Sequence, residues 1–166
     1  MCRNYLFSFN KMQYFTQKES ITGCILCHIS KHDHKCEELV LWENEYFIIS
    51  LNLYPYNPGH LIIFPKRHIE DFRKFSETEI MQINRITKAC LNLLDETYHP
   101  AGYNIGYNMG LCAGASIEHI HQHIVPRYKN EIGIEEIIGG SRILVESPRE
   151  SHKRLLDTIS EKHIFT

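Results

Sequence analysis

Residues 110–127 read GLCAGASIEHIHQHIVPR and place three histidines at alternate positions. In a β-strand, successive side chains point to opposite faces of the sheet. We therefore expect a strand over His119–Val125, with the histidines on one face, about 7 Å from one to the next. Ile120, Gln122 and Ile124 would face the other way, so that the strand is anchored in the core through its isoleucines. The histidines that share a face are His119, His121 and His123.

The histidine row has several interpretations. It can be a solvated strand face or a chance cluster, since buried imidazoles are costly unless each has a partner. It can also bind a metal or a phosphate. Glycines at 106, 110 and 114 precede it, and glycine-rich backbone can approach a ligand closely and hold phosphate oxygens on its N–H groups. A glycine-rich loop that leads into three histidines favours a functional site.

Hydrophobic and turn patterns predict the other elements. Ser76 and Glu79 form a capping box at the start of a helix over Glu77–Tyr98, in which apolar residues repeat at helical spacing. A second capping box, Ser147 with Glu150, begins a C-terminal helix over about 148–163. Residues 28–37 are polar and are expected to form a loop. The remaining predicted strands are Leu39–Trp42, Tyr46–Asn52, His60–Phe64 and Tyr103–Met109.

Strands grouped around one long helix predict an α+β fold with a mainly antiparallel sheet of about five strands. The 166 residues contain no repeat or long linker, so we expect a single domain over 1–166, with 1–20 as an N-terminal lead-in. A net charge of −2 argues against bulk nucleic-acid binding, and no run is long and apolar enough to span a membrane. The N-terminus lacks the apolar stretch of a signal peptide. We therefore expect a cytoplasmic protein with reduced thiols.

Two blocks carry a family resemblance. The first is the glycine-rich loop with the histidines, residues 110–127, and the second reads NLYPYNPGHLIIFPKRH over residues 52–68. In the chain, block 52–68 comes first, then the predicted helix, then block 110–127, and in that order they resemble the histidine-triad (HIT) family. Gln122 occupies a position that is usually apolar in the family. Galactose-1-phosphate uridylyltransferases, a related branch, show the same departure. The resemblance covers roughly residues 12–148 and implies a HIT-like fold.

The resemblance implies roles at the α-phosphate of a nucleotide substrate. His121 would be the nucleophile and form a covalent nucleotidyl-histidine, with a backbone carbonyl fixing its tautomer. His123 and the backbone near Ser116 would bind phosphate oxygens, and the Ser116 hydroxyl would lie near the leaving group. The implied catalytic residues are His121, His123 and Ser116. The implied substrate-binding residues are Asn52 at the ribose, His60 behind the phosphate, Asn108 and Gly114 beside it, and Leu26 and Leu53 as walls of the base pocket. Both leucines can equally be plain core residues.

The resemblance leaves the acceptor open. Water gives a hydrolase, inorganic phosphate gives a phosphorylase, and a sugar phosphate gives a transferase. Residues 11–14 (KMQY), the CxxC pair and residues 139–142 (GGSR) resemble the diadenosine tetraphosphate phosphorylase branch, although the tryptophan usual near that lead-in is missing. A nucleotide-binding, zinc-stabilised interaction protein with little turnover is the alternative from another class. Many relatives are homodimers, so we expect a homodimer.

Cys24-Ile25-Leu26-Cys27 has metal-ligand spacing but supplies only half a site. By the resemblance, zinc-bearing branches complete it with the histidines at His68 and His119, which implies a structural Cys2His2 zinc. Three alternatives remain. With His28 the motif also fits c-type haem attachment. A local zinc knuckle can form with His28, His32, His34 and Cys36. Otherwise the two cysteines are buried free thiols.

Overall fold

The structure is a computed structural model that describes residues 22–129, 131 and 144–165. The lead-in over 1–20 and the segment 139–142 lie outside the described residues. Short 3-10 turns occupy Phe72–Lys74 and Leu111–Ala113. The elements in chain order are helix α1 (Ile25–Lys31), strands β1 (Val40–Glu43), β2 (Phe47–Leu51) and β3 (Leu61–Pro65), helix α2 (Glu77–Tyr98), strands β4 (Gly102–Tyr107) and β5 (Gln122–Arg127), and helix α3 (Pro148–Lys162).

The five strands form one antiparallel sheet in the order β1-β2-β3-β5-β4. This confirms the predicted α+β fold with a five-stranded antiparallel sheet. The chain leaves the sheet after β3, runs through α2, and returns to the outer edge before β5 inserts between β3 and β4. That insertion brings residues before β5 beside the end of β3, so the histidine row lies next to residues 52–68.

Both faces of the central strands are buried, and all five residues of β2 and of β3 are buried. On one face, Ile49, Ile63 and Ile124 pack in the main core with α2 and α3. On the other face lies a smaller cluster, formed by Leu26, Ile29, Ile48, Ile62 and Phe64. Helix α1 contributes Leu26 and Ile29 to it, so a seven-residue helix covers the second face.

Helix α2 has the bounds predicted from its sequence. The Ser76 side chain accepts from the Glu79 N–H and the Glu79 side chain accepts from the Ser76 N–H, which completes the capping box. The helix ends at Tyr98 and is capped by His99, which has the left-handed conformation. Gly59 packs against the last turn, where an added Cβ would lie 2.9 Å from a Tyr98 ring carbon. The loop that precedes β3 therefore docks tightly on α2.

Two predictions from the sequence are wrong in detail. Strand β5 begins at Gln122 and not at His119, because its other partner, β4, ends at Tyr107 opposite Gln122, and the Ile120 N–H before it donates to the Ile69 carbonyl oxygen instead of joining the ladder. Residues 28–31 are helical and not a loop, because Leu26 and Ile29, three positions apart, share a helix face that is buried on the sheet. The other strands differ from their predicted bounds by one or two residues. Among the described residues, no helix is both long and apolar enough to cross a bilayer.

Candidate active site and metal centre

The alternation predicted for the histidine row holds although the row begins before the strand. Ile120 and Ile124 pack in the main core, and Gln122 contacts Thr87 of α2, with 2.6 Å between Oε1 and Oγ1. His123 pairs in register with Ile62, whose side chain lies in the smaller cluster. The histidines therefore lie on the face opposite α2. The residues between them fasten the segment to the core.

His121 is held by the backbone. Its Nδ1 lies 2.7 Å from the carbonyl oxygen of His119. A carbonyl only accepts, so Nδ1 carries the proton and Nε2 carries the lone pair. This is the carbonyl contact expected from the sequence, and it leaves Nε2 of the neutral ring available as a nucleophile.

His123, His60, Asn108 and Asn52 are brought together beside His121. The ring centroids of His121 and His123 are 4.7 Å apart. His60 Nε2 lies 3.0 Å from His123 Nδ1, and the Asn108 side chain lies 3.5 Å from His123 Nε2. Asn52 approaches His60 Nδ1 at 3.4 Å. Four of the predicted substrate-site residues therefore form one contiguous cluster with the central histidine.

Burial keeps these imidazoles neutral. Burial, followed by the neighbouring rings of His123 and His121, lowers the pKa of His60 to about 3. Burial, followed by the neighbouring His121, lowers the pKa of His123 to about 4. Burial also lowers the pKa of His121, opposed by its hydrogen bond to the His119 carbonyl. A neutral ring is the nucleophilic form, so the site is prepared for attack without first losing a proton.

The glycine-rich loop borders this cluster. Gly110 and Gly114 have φ of 80° and 87°, which places both in a region that favours glycine. An added Cβ at Gly114 would lie 3.9 Å from the Asn108 amide nitrogen, so Gly114 and Asn108 are neighbours. Ser116 is exposed two residues further along the same loop. The loop therefore places Gly114 next to the histidine cluster, with Ser116 following it in the chain.

The two leucines proposed as base-pocket walls do not pack in a common core cluster. Leu26 is 1% exposed and packs in the smaller cluster, whereas Leu53 is half-buried against the main core. Leu26 thus fits the alternative interpretation, a core residue. Leu53 alone keeps surface that a ligand can contact.

Cys24, Cys27, His68 and His119 form a second cluster. Their ligand atoms all lie within 4.8 Å of one another. The Cys24 Sγ and Cys27 Sγ atoms lie 3.4 and 3.6 Å from His119 Nδ1, and Cys27 Sγ lies 3.3 Å from His68 Nδ1. A tetrahedral zinc with ordinary bond lengths separates sulfur and nitrogen ligands by about 3.5 Å. The four side chains therefore fit a tetrahedral metal.

The hydrogen bonds of the two histidines on the side away from the cysteines also fit metal binding. His119 Nε2 lies 2.9 Å from the Pro65 carbonyl oxygen, and His68 Nε2 lies 3.4 Å from a Glu70 carboxylate oxygen. Both Nε2 atoms thus donate outward and both Nδ1 lone pairs face the thiols, as in metal-bound histidines. Burial, followed by the adjacent Cys24, raises the pKa of the Cys27 thiol to about 11. A bound cation would reverse that preference, because thiolate is the ligand form.

The local zinc knuckle does not form. His28 contacts Asp33 at 2.6 Å, His32 contacts Glu38 and Glu43, and Cys36 Sγ faces the Ile25 carbonyl oxygen. These rings are engaged by carboxylates and not by the CxxC sulfurs. Within the described ranges, the cluster that could hold a metal is the one with His68 and His119.

Comparison with known proteins agrees with this arrangement. The HIT domain family model matches residues 34–130, which include β1 to β5 and the histidine row. The chain belongs to the HIT domain family. An AP-4-A phosphorylase of Mycobacterium tuberculosis is 36% identical over 123 residues, which are 74% of this chain and 63% of that protein. The matched part thus spans less than two thirds of that relative.

One further relative and one solved structure are also similar to this HIT chain. An adenosine 5'-monophosphoramidase of Schizosaccharomyces pombe is 29% identical over 112 residues, 68% of this chain and 80% of that protein. The crystal structure of a Zn-bound histidine triad family protein from Mycobacterium smegmatis has a TM-score of 0.70 at 24% identity, covering 85% of this chain and 96% of that one. The last comparison shows the fold.

Two contributors to the HIT site were missed in the sequence. The Tyr56 N–H donates to His60 Nδ1 at 3.1 Å, and its ring stacks on His60 with centroids 5.0 Å apart. Arg67 binds both carboxylate oxygens of Glu79 at 2.6 and 2.7 Å and also the Lys74 carbonyl, which fixes the segment that carries His68. A backbone donor has no sequence signal. The pairing of Arg67 with Glu79 spans twelve positions and depends on the turn between them.

The buried histidines predict a loss of stability in acid. The pKa of His60 is lowered in the folded state from about 6.5, so its contribution is complete above pH 6.5 and is lost as pH falls towards 3. One such histidine changes the free energy of unfolding by at most about 1.4 kcal/mol per pH unit. Urea titrations at intervals from pH 7 to 4 should show a shallower slope for His60→Leu than for the native chain. Equal slopes would mean that His60 does not bind fewer protons when folded.

Proposed function

We propose that this protein is a nucleotidyl hydrolase or transferase that acts at the α-phosphate of nucleoside polyphosphates or related nucleotide conjugates. The observation that carries the proposal is the Nδ1–H contact of His121 with the His119 carbonyl. It presents the Nε2 lone pair of a neutral imidazole beside a glycine-rich loop and a second histidine. That combination suits attack on a phosphate better than it suits passive nucleotide binding.

In the proposed reaction, His121 Nε2 attacks the α-phosphorus, and a bond forms between nitrogen and phosphorus as the bond to the leaving group breaks. His123 and the backbone near Ser116 bind the non-bridging oxygens. The Ser116 hydroxyl lies near the leaving group and donates a hydrogen bond to the oxygen on which negative charge develops as the bond breaks. Asn108 and Gly114 line the phosphate, Asn52 binds ribose hydroxyls, and Leu53 contributes to the base pocket. An acceptor then displaces the nucleotide from His121 and restores the free ring.

A dinucleoside polyphosphate phosphorylase is the second candidate, favoured by the identity to an AP-4-A phosphorylase. The two activities share the covalent step and differ in the acceptor, which is phosphate in one case and water in the other. Products from diadenosine tetraphosphate with and without phosphate distinguish them. A nucleoside diphosphate that forms only with phosphate present identifies a phosphorylase.

We also propose that Cys24, Cys27, His68 and His119 hold a structural zinc. The fit of the four side chains supports this, and a closed set of four protein ligands leaves no position for substrate. The ion would join α1 to the segment before β5 and would remove His119 from acid–base work. Thiolate ligands require reduced cysteines, which agrees with the cytoplasmic location that we propose.

We further propose a homodimer formed through β4. This strand is at the edge of the sheet, pairs only with β5 among the described strands, and reads GYNIGY without a charged residue. The edge strands of proteins that stay monomeric usually carry a charged residue or a bulge, which prevents pairing with a second copy. Ile105 in the middle of β4 is 45% exposed. A second copy pairing antiparallel along β4 would cover this edge.

The dimer is tested with Ile105→Lys. Self-pairing of β4 places residues near its centre close to their own copies, so an added lysine brings like charges together. Light scattering should give the mass of a dimer for the native chain and of a monomer for Ile105→Lys. Leu156→Lys, at a partly exposed position of α3, is the matched control and should stay dimeric. A monomeric native chain would contradict the proposal.

The covalent intermediate is tested by trapping. Enzyme mixed with a substrate labelled at the α-phosphate and quenched in alkali should retain label, because a phosphoramidate at histidine survives base and breaks in acid. The label should map to the peptide with His119–Arg127 and be absent from His121→Ala. Adding phosphate should discharge it if the protein is a phosphorylase. Turnover without label under any quench would point to direct attack by water. Binding without turnover would favour an interaction protein.

A further inference from the structure

The ring of His60 links a backbone group to the phosphate side of the site. The Tyr56 N–H lies 3.1 Å from His60 Nδ1, whereas the Asn52 amide nitrogen lies 3.4 and 3.5 Å from Nδ1 and Nε2 and favours neither. A backbone N–H only donates, so His60 Nδ1 must carry a lone pair. His60 is fully buried, which favours the neutral ring, and a neutral ring that accepts at Nδ1 carries its proton on Nε2.

The proton on His60 Nε2 fixes the next ring. His60 Nε2 lies 3.0 Å from His123 Nδ1, and the two ring centroids are 5.2 Å apart. Since His60 Nε2 donates, His123 Nδ1 accepts. The neutral His123 therefore carries its own proton on Nε2. The atom 3.5 Å from that nitrogen is the Asn108 amide nitrogen, so the amide must be turned by 180° for its oxygen to accept from the His123 Nε2–H.

Neighbouring histidines of the row thus hold opposite tautomers. His121 carries its proton on Nδ1 because it faces a carbonyl oxygen. His123 carries its proton on Nε2 because it faces a donor chain that begins at a backbone N–H. The lone pair of His121 and the N–H of His123 are therefore both directed away from these supports.

We propose that His60 is a positioning residue, through which the Tyr56 N–H holds His123 in the Nε2–H tautomer. His123 then offers a neutral hydrogen-bond donor to a phosphate oxygen and cannot compete with His121 as a nucleophile. With the other tautomer, a lone pair on Nε2 would face the lone pairs of the phosphate. The chemical class of the ligand rests on the proposed function, whereas the tautomer itself does not.

The direct test is the tautomer of His123, read from isotope-labelled imidazole nitrogens by long-range proton–nitrogen correlation on the full-length protein. The native chain should show one Nε2–H form for both His60 and His123, and Nδ1–H for His121. His60→Leu should leave His123 as a mixture of tautomers and should weaken AMP binding about tenfold. His60→Gln, whose amide can accept and donate, should recover much of both. An Nδ1–H form of His123 in the native chain overturns the proposal, as does an unchanged His123 in His60→Leu.

A second pair of variants tests the backbone donor and does not depend on the folding of His60→Leu. Tyr56→Ala and Tyr56→Pro both remove the ring, but only proline removes the N–H. The alanine variant should keep the native tautomers, and the proline variant should lose them at His60 and His123. Native tautomers in the proline variant overturn the proposal. The spectra need no turnover, so failure to trap a covalent nucleotide would remove the proposed function without altering this result.

Discussion

His121→Asn is expected to lower kcat by about 10⁴-fold or more while AMP still binds. The asparagine amide keeps an N–H that can reach the His119 carbonyl, but it has no nucleophilic lone pair. Loss of a nucleophile removes the chemical path and leaves the pocket, because the groups that bind phosphate and ribose lie on other elements. Steady-state rates with diadenosine tetraphosphate and a nucleoside phosphoramidate, together with AMP titrations, measure the two effects.

His152→Asn is the matched control for this experiment. His152 is half-buried, less deeply than the buried His121, and it too contacts a backbone carbonyl, with 2.8 Å between its Nε2 and the Val40 oxygen, but it lies on α3 outside the site. Its replacement should leave kcat near the native value. The role assignment would be wrong if His121→Asn retained near-native turnover while His123→Asn did not. His123 would then be the nucleophile and would carry the label in the trapping experiment.

Removal of the metal is expected to have the second largest effect. Native protein should contain close to one zinc per chain by elemental analysis, and the double variant Cys24→Ser with Cys27→Ser should contain none. Structural zinc can contribute roughly 10 kcal/mol where binding and folding are coupled. The main core on the other face does not include the cluster, so we expect a partial loss of about 4 kcal/mol. That loss corresponds to a fall in Tm of roughly 10 °C.

The structure gives the reason for that loss. Helix α1 has seven residues, too few to be stable alone, and only Leu26 and Ile29 of it are buried. The four proposed metal ligands tie the first turn of α1 to His119, two residues before the proposed nucleophile His121. Without the ion, α1 should detach and expose the smaller cluster, and kcat should fall because the segment 119–121 loses an anchor.

The Cys36→Ser variant distinguishes the proposed Cys2His2 site from the local zinc knuckle. Cys36 lies near α1 but its sulfur faces the Ile25 carbonyl oxygen, so its loss should leave both zinc content and Tm unchanged. His68→Ala and His119→Ala should each release zinc. Zinc retained in both histidine variants and lost in Cys36→Ser would overturn the Cys2His2 assignment in favour of the local knuckle. A metal-free native protein with unchanged stability in the double cysteine variant would leave the pair as ordinary thiols.

The sequence by itself determined the fold class, the bounds of α2 and which three histidines share one face. These features depend on local periodicity and capping, such as Ser76 with Glu79, which residues close in the chain decide among themselves. The two motif blocks also predicted which residues far apart in the chain belong to one site, since His60, Asn108 and His123 occupy recognisable positions of the family motif. The tertiary structure confirmed that these side chains meet.

The tertiary structure alone decided where β5 begins, that residues 25–31 are helical, and which tautomers the histidines hold. Strand β5 starts at Gln122 because the neighbouring strand β4 ends at Tyr107 opposite it, a fact about pairing across the sheet. Leu26 became core because the second sheet face needed cover. The tautomers follow from single backbone groups, the His119 carbonyl and the Tyr56 N–H, which every residue possesses and no sequence pattern distinguishes. Only the folded chain, by setting distances of about 3 Å between such groups and a ring nitrogen, gives them a chemical role.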